Sequence, residues 1–203
     1  MAELGLASSH ALCDVDPDSV ADFTTWSRSE GLADVTEVVQ GDGMRALADR
    51  MLGDAATVDS STALVHIDPF SPTATQPGSL SALELAGALI DAGAAVVYWY
   101  GFDRPEERTW AYDELGASIR ATLWCGDIMV TTATGEVRSD GDLGLATTPG
   151  AGCGIVCANV PGDAVDRCEI LGQSLVRAYQ TFTSPTGERA ALDFISRGAV
   201  PAG

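Results

Sequence analysis

The feature that most constrains this chain is an alternation of short apolar runs, the first three closing on aspartate, with segments of helical spacing. "HALCDVD" (10–16) ends on Asp14 and Asp16, "DVTEVVQGDG" (34–43) reaches Asp42, and "TALVHID" (62–68) ends on Asp68. The first run is followed by "PDSVADFTTWSRSEG", with Pro17 near its start and Gly31 at its end, as helices favour. The second leads into "MRALADRMLG", which has helical spacing. The third is followed by a polar loop over 71–80 and then by "SALELAGALIDAG", which opens on a capping box of Ser81 with Glu84 and closes at Gly93. The rhythm continues with strand "AAVVYWYGF" (94–102), helix "RPEERTWAYDELGA", strands "SIRATLWCGDIMVT" and "GCGIVCANV", and the long helix "DAVDRCEILGQSLVRAYQ".

Alternation of this kind predicts an α/β fold: one domain over 1–203, built on a mostly parallel sheet with helices on both faces. The expected strands lie near 10–16, 34–40, 62–68, 94–100, 119–131 and 153–160. Residues 62–68 are apolar almost throughout, as in strands covered on both faces. Residues 134–151, rich in Gly, Thr and Asp, read as a loop or mobile hairpin, and 184–203 as a C-terminal edge segment and tail.

The charge excludes one class of partner. With 29 acids against 11 bases, the net charge of −18 repels polyanions over about a Debye length, so nucleic acid is not expected as a substrate. No apolar run has the length of a membrane span, and "MAELGLASSH" has neither a basic nor a long apolar region, so the expected location is the cytoplasm. The five cysteines lack zinc-like spacing, and Cys153 and Cys157 read as small core residues on one strand face. His66, inside an apolar run, reads as a core residue too.

Ligands of such sheets sit outside the carboxyl ends of the strands, where these aspartates gather. An acid after the first strand commonly holds a ribose, which suits Asp14, and Asp42, in a tight Gly-flanked turn, can accept from an exocyclic amine. Asp68 is followed by Pro69, which limits backbone motion, and Phe70, whose ring can pack on a planar substrate. From the neighbouring strand Tyr98 and Tyr100 share one face, as candidate substrate contacts, while Trp99 points to the other. Asp68 is thus the candidate catalytic residue, as counter-ion to a substrate ammonium or as an acid/base. Each of these aspartates, taken singly, also suits a helix cap or turn.

The order of signals resembles the class I S-adenosylmethionine (SAM)-dependent methyltransferases, and particularly the RlmJ-type 23S rRNA adenine-N6 methyltransferases. The likeness runs from about Leu12 to Tyr179. "DVDP" (14–17) stands where that family has its ribose-binding acid, "GDGMRAL" (41–47) its adenine-binding acid, and "VHIDPF" (65–70) its Asp-Pro-Pro-Tyr motif. "VVYWYGF" (96–102) and "CGIVCANVP" (153–161) resemble its later strands. The resemblance implies a truncated, Rossmann-like methyltransferase fold, with Asp14 and Asp42 at the cofactor. Two departures alter the implied chemistry. The family's first strand and Gly-rich loop have no counterpart, and its catalytic motif has become Asp68-Pro69-Phe70-Ser71.

The expectation that follows is a small-molecule enzyme of specialised metabolism, without a cofactor, doing acid/base chemistry on an amine, as in a Pictet–Spengler-type condensation or cyclisation. One alternative is SAM-dependent N-methylation of a small acceptor, and another a noncatalytic partner protein. A homodimer is expected, because a missing central strand leaves edges and apolar surface in need of cover.

Overall fold

The computed structural model describes residues 9–53, 56–69, 73, 75, 78–132, 151–183 and 189–198. Strands β1 (His10–Asp14) and β2 (Thr36–Gln40) pair in parallel and are joined by helix α1 (Pro17–Ser29). Helix α2 (Gly43–Met51) leads to β3 (Leu64–Ile67), which pairs in parallel with β4 (Ala95–Phe102) by way of α3 (Ala82–Asp91). Then come α4 (Trp110–Ser118), β5 (Leu123–Thr132), β6 (Gly152–Ala158), α5 (Gly162–Ala178), β7 (Phe182–Thr183) and β8 (Arg189–Gly198).

The strands form two sheets: a parallel pair β1-β2, and a six-stranded sheet in the order β3-β4-β6-β5-β8-β7. In the larger sheet only β3 and β4 run parallel as neighbours; every other pairing is antiparallel. This corrects the expected mostly parallel, Rossmann-like sheet of a methyltransferase. The cause lies in strand insertion. β4 and β5, linked through α4, do run in the same sense, but β6 enters between them and β8 lies against the far side of β5, each antiparallel to its neighbours. Periodicity along the chain reports which segments are strands and cannot report which strand comes to lie between two others. Residues 189–198, expected within an edge segment, form β8, which lies between β5 and the short β7.

Alternation along β4 organises the core. Val96, Tyr98, Tyr100 and Phe102 are buried on one face beneath α3 and α4, where Leu85, Leu89, Ala111 and Leu115 meet them. Burying each such side chain contributes about 1.5–3 kcal/mol. On the other face Val97, Ile155, Trp124 and Cys157 pack with Val165 and Cys168 of α5. The predicted capping box is present: Ser81 N–H donates to Glu84 Oε2 at 2.9 Å and Glu84 N–H to Ser81 Oγ at 3.2 Å. Among the described residues no helix is long and apolar enough to cross a membrane. Residues 134–150 lie outside them.

One side chain ties the layers together. Asn159, just past β6 at a left-handed φ of 52°, donates from Nδ2 to Ile90 O at 2.9 Å and to Ala94 O at 3.0 Å. It thereby clips the end of β6 to the turn between α3 and β4. Asn159→Ala leaves both carbonyls without this donor and should lower stability by about 1–3 kcal/mol. Asn159→Gly, which relaxes the backbone but loses the same bonds, should recover part of that loss. Urea denaturation checks both, as a shifted midpoint at unchanged slope.

Candidate functional site

The predicted acids stand at or just past the ends of β1, β2 and β3, with different hydrogen-bond partners. Asp14 closes β1 and accepts from Asp16 N–H at 2.9 Å. Asp16 caps α1, accepting from Asp18 N–H at 3.2 Å, Ser19 N–H at 3.3 Å and Ser19 Oγ at 2.9 Å. The Ser19 hydroxyl first, and then the two backbone donors, hold its carboxyl below the usual carboxylate value. Asp42 caps α2, with Oδ1 accepting from Met44 N–H at 3.0 Å and Arg45 N–H at 3.3 Å. Its Oδ2 accepts from Ser79 Oγ at 2.8 Å.

These bonds also fix the geometry of the edge. Gly41 N–H donates to Asp14 O at 2.9 Å, and a Cβ on Gly43 would stand 3.0 Å from that of Cys13, so Asp14 and Asp42 close adjacent strand ends. Ser79 belongs to the segment between β3 and α3. Its bond to Asp42 therefore draws the carboxyl ends of β2 and β3 to the same side.

Asp68 differs from the others. It follows β3 directly and is exposed, and among the described residues no group hydrogen-bonds to its carboxylate. Its charge is felt by Cys153. Burial raises that thiol above its ordinary value, the Trp99 indole N–H directed at it pulls the other way, and the carboxylates of Asp127 and Asp68 add to the rise. Trp99 and Cys153 thus mark the sheet face beside Asp68, both half-buried.

The remaining candidates fall elsewhere. Tyr98 and Tyr100 share a face as alternation predicts, but it is the covered face, where they are 0% and 2% exposed, so their rings are core. Burial drives both phenols far above the ordinary tyrosine value. Phe70 lies outside the described residues. His66, read as a core residue, is exposed on β3. Among the described residues no three His, Cys, Asp or Glu side chains are placed to hold a metal ion.

Sequence reasoning missed a buried polar network around Asp127. This fully buried β5 residue accepts from the Tyr100 hydroxyl through Oδ1 and from Thr109 N–H, at 2.9 Å, through Oδ2. Arg108 donates from Nη2 to Asp127 O at 3.2 Å and from Nη1 to Asp193 Oδ2 at 2.5 Å, with its Nε 3.9 Å from Asp127 Oδ2. Thr109 reaches its bond through a left-handed φ of 64°. Gly154 faces the pair across the ladder, and a Cβ there would run into Asp127 Oδ1 and the Tyr100 ring. The signal was a lone acid inside the apolar run "LWCGDIMV". A buried acid must find partners, and this one draws them from β4, β8 and the start of α4.

No protein-family model matches the chain, and no curated protein matches it. A solved structure does: a crystal structure of protein LPL1258 from Legionella pneumophila str. Philadelphia 1, of family DUF519, superposes with a TM-score of 0.58 at 12% identity. The match covers 94% of this chain and 61% of that one, so the chain spans less than two thirds of its neighbour's length. At this identity the likeness concerns the fold alone. The expected membership among the SAM-dependent, RlmJ-type methyltransferases is corrected accordingly: no such family matches, and the sheet is mostly antiparallel.

The network makes stability depend on pH. Burial, the first cause, raises the Asp127 carboxyl above the ordinary value, against the opposing pull of Tyr100, Arg108, Thr109 N–H and Arg197. Between the unfolded and the raised folded value, the folded protein holds more protons than the unfolded chain. The contribution of this group is therefore full below the unfolded value and is lost as pH rises through the folded one. Relative to Asp127→Asn, the unsubstituted protein should have its largest margin at acid pH and lose it as pH rises. Urea melts of both proteins across a pH series check the sign; a margin that grows with pH would show the carboxylate to be net stabilised by its partners.

Proposed function

We propose that the chain is a small-molecule enzyme acting on an amine, which it holds at the carboxyl edge of the sheet with Asp68 as counter-ion and proton acceptor. One observation carries this reading. Of the acids at the strand ends, Asp14, Asp16 and Asp42 all accept hydrogen bonds, whereas Asp68 is exposed and has no hydrogen-bond partner among the described residues. A carboxylate so placed is open to an ammonium group, and charge-assisted bonds of this kind contribute about 1.5–3 kcal/mol. The half-buried Trp99 on the adjacent strand offers a ring face nearby.

The reaction class that fits is condensation with a carbonyl compound. The bound ammonium gives one proton to Asp68 and the freed amine attacks the carbonyl carbon; the added nitrogen then passes a proton to the former carbonyl oxygen and Asp68 returns its own proton to that oxygen, so that the C–O bond breaks, water leaves and the carboxylate is regenerated. In a cyclisation, a ring carbon of the same substrate then attacks the resulting iminium carbon, and the proton displaced from that ring carbon passes to the carboxylate. No redox partner is needed to balance these steps.

Tryptamine and phenethylamine serve as probes, followed by chemical-shift perturbation on the full chain. Asp68→Asn should weaken their binding about tenfold or more, the scale of one lost charge-assisted bond, while stability stays within about 0.5 kcal/mol, as for exposed positions without partners. Asp42→Ala should behave in the opposite way, costing about 1 kcal/mol of stability through the lost cap. Equal amine affinity in the unsubstituted and Asp68→Asn proteins would remove Asp68, and this function with it.

A further inference from the structure

The strand ladder stops in the middle of the molecule. Among the described residues β1 pairs only with β2, and β3 only with β4. A parallel pair on its own is unusual, because parallel strands belong to sheets that are covered and continued. Helix α2 packs on β1 and also on α3, so β1 is the member of the small sheet that faces the larger one. The Asp42–Ser79 bond brings the carboxyl ends of the two sheets to the same side, so β1 and β3 run in the same sense across the break. Helix α2 thus reaches from β1 to α3, which itself packs on β4. Among the described residues, α2 and α3 are in contact where β1 and β3 are not paired.

The surroundings of the break expose apolar surface. Leu64, on the edge strand β3, is 60% exposed. An edge strand offers a row of unpaired N–H and C=O groups, and a second polypeptide can complete it by adding a strand.

We infer that the break is a strand-accepting slot, filled by an extended segment of a separate, basic protein that runs parallel to β1 and β3 and pairs with both. Charge selects the partner. Asp14, Asp16, Asp42 and Asp68 stand where the inserted strand would emerge, and the chain as a whole carries −18. A second copy brings the same charge and is repelled; a segment that ends in lysines or arginines is drawn in. The inserted strand would place alternate side chains against the α2–α3 layer, so an apolar-polar alternation is the pattern it needs. This proposal shares Asp68 with the amine reading, and the two are told apart by backbone pairing in β1 and β3, which an amine bound at Asp68 leaves unchanged.

Amide hydrogen exchange on the full chain tests it, with a synthetic peptide of alternating valine and threonine closed by a run of lysines as the probe. In the free chain the outward amides of β1 and β3 should exchange rapidly. Saturating peptide should slow them about tenfold or more in both strands together. The same peptide with proline at alternate positions, which cannot complete the ladder, should leave them unchanged. Leu64→Lys, at an exposed position, should weaken the effect about tenfold while core amides stay protected. Four results would each overturn the proposal: no slowing, slowing in one strand only, edge amides already protected in the dilute free chain, or protection that grows with protein concentration and tracks a dimer in sedimentation.

Discussion

The architecture depends on what β4 can accept on its two edges. It takes β3 in parallel on one side and β6 antiparallel on the other, and so converts a crossover-built arrangement into a meander-like one within a single sheet. The same strand supplies four buried side chains of the core, Val96, Tyr98, Tyr100 and Phe102. Tyr100 also carries the bond to Asp127 that joins β4 to β5 across the intervening β6. Removing β4 would remove the pairing partner of two strands, the floor beneath α3 and α4, and one anchor of the buried acid at once.

Carboxylates in this protein divide by what they touch. Those at helix starts are held ionised by hydroxyls and backbone N–H groups, as at Asp16, Asp59 and Glu84, whose carboxyls all sit below their ordinary values. Their support fades as pH falls through those lowered values. Asp127, raised by burial, works with the opposite sign. Asp68 belongs to neither group, for it neither caps nor lies buried. The same side chain therefore performs three physical tasks in one small fold, separated only by its surroundings.

The strands and helices were legible in the sequence almost element by element. Apolar runs located β1 through β6, and caps such as Ser81 with Glu84 marked where helices begin, because both signals are local. The sheet order was not legible, since nothing in "GCGIVCANV" says that it enters between β4 and β5. The site was legible in part. Alternation correctly paired Tyr98 with Tyr100, yet could not tell which face α3 and α4 cover, because that depends on where those helices dock. Asp127 announced itself as a lone acid in an apolar strand, but its partners lie 18 and 27 residues away along the chain, at Thr109 and Tyr100.

Gly154 has a consequence for how this sequence can change over time. The room that its missing side chain leaves is already occupied by the Asp127 carboxylate and the Tyr100 ring, arriving from the two strands that flank β6. The three positions share one volume. A larger residue at 154 is tolerable only if the acid or the ring shrinks with it, and a smaller residue at 100 or 127 opens a hole that Gly154 cannot fill. Substitutions here are therefore expected to be strongly non-additive, as they are for side chains in direct contact. Drift at this spot would have to proceed by paired exchanges across neighbouring strands.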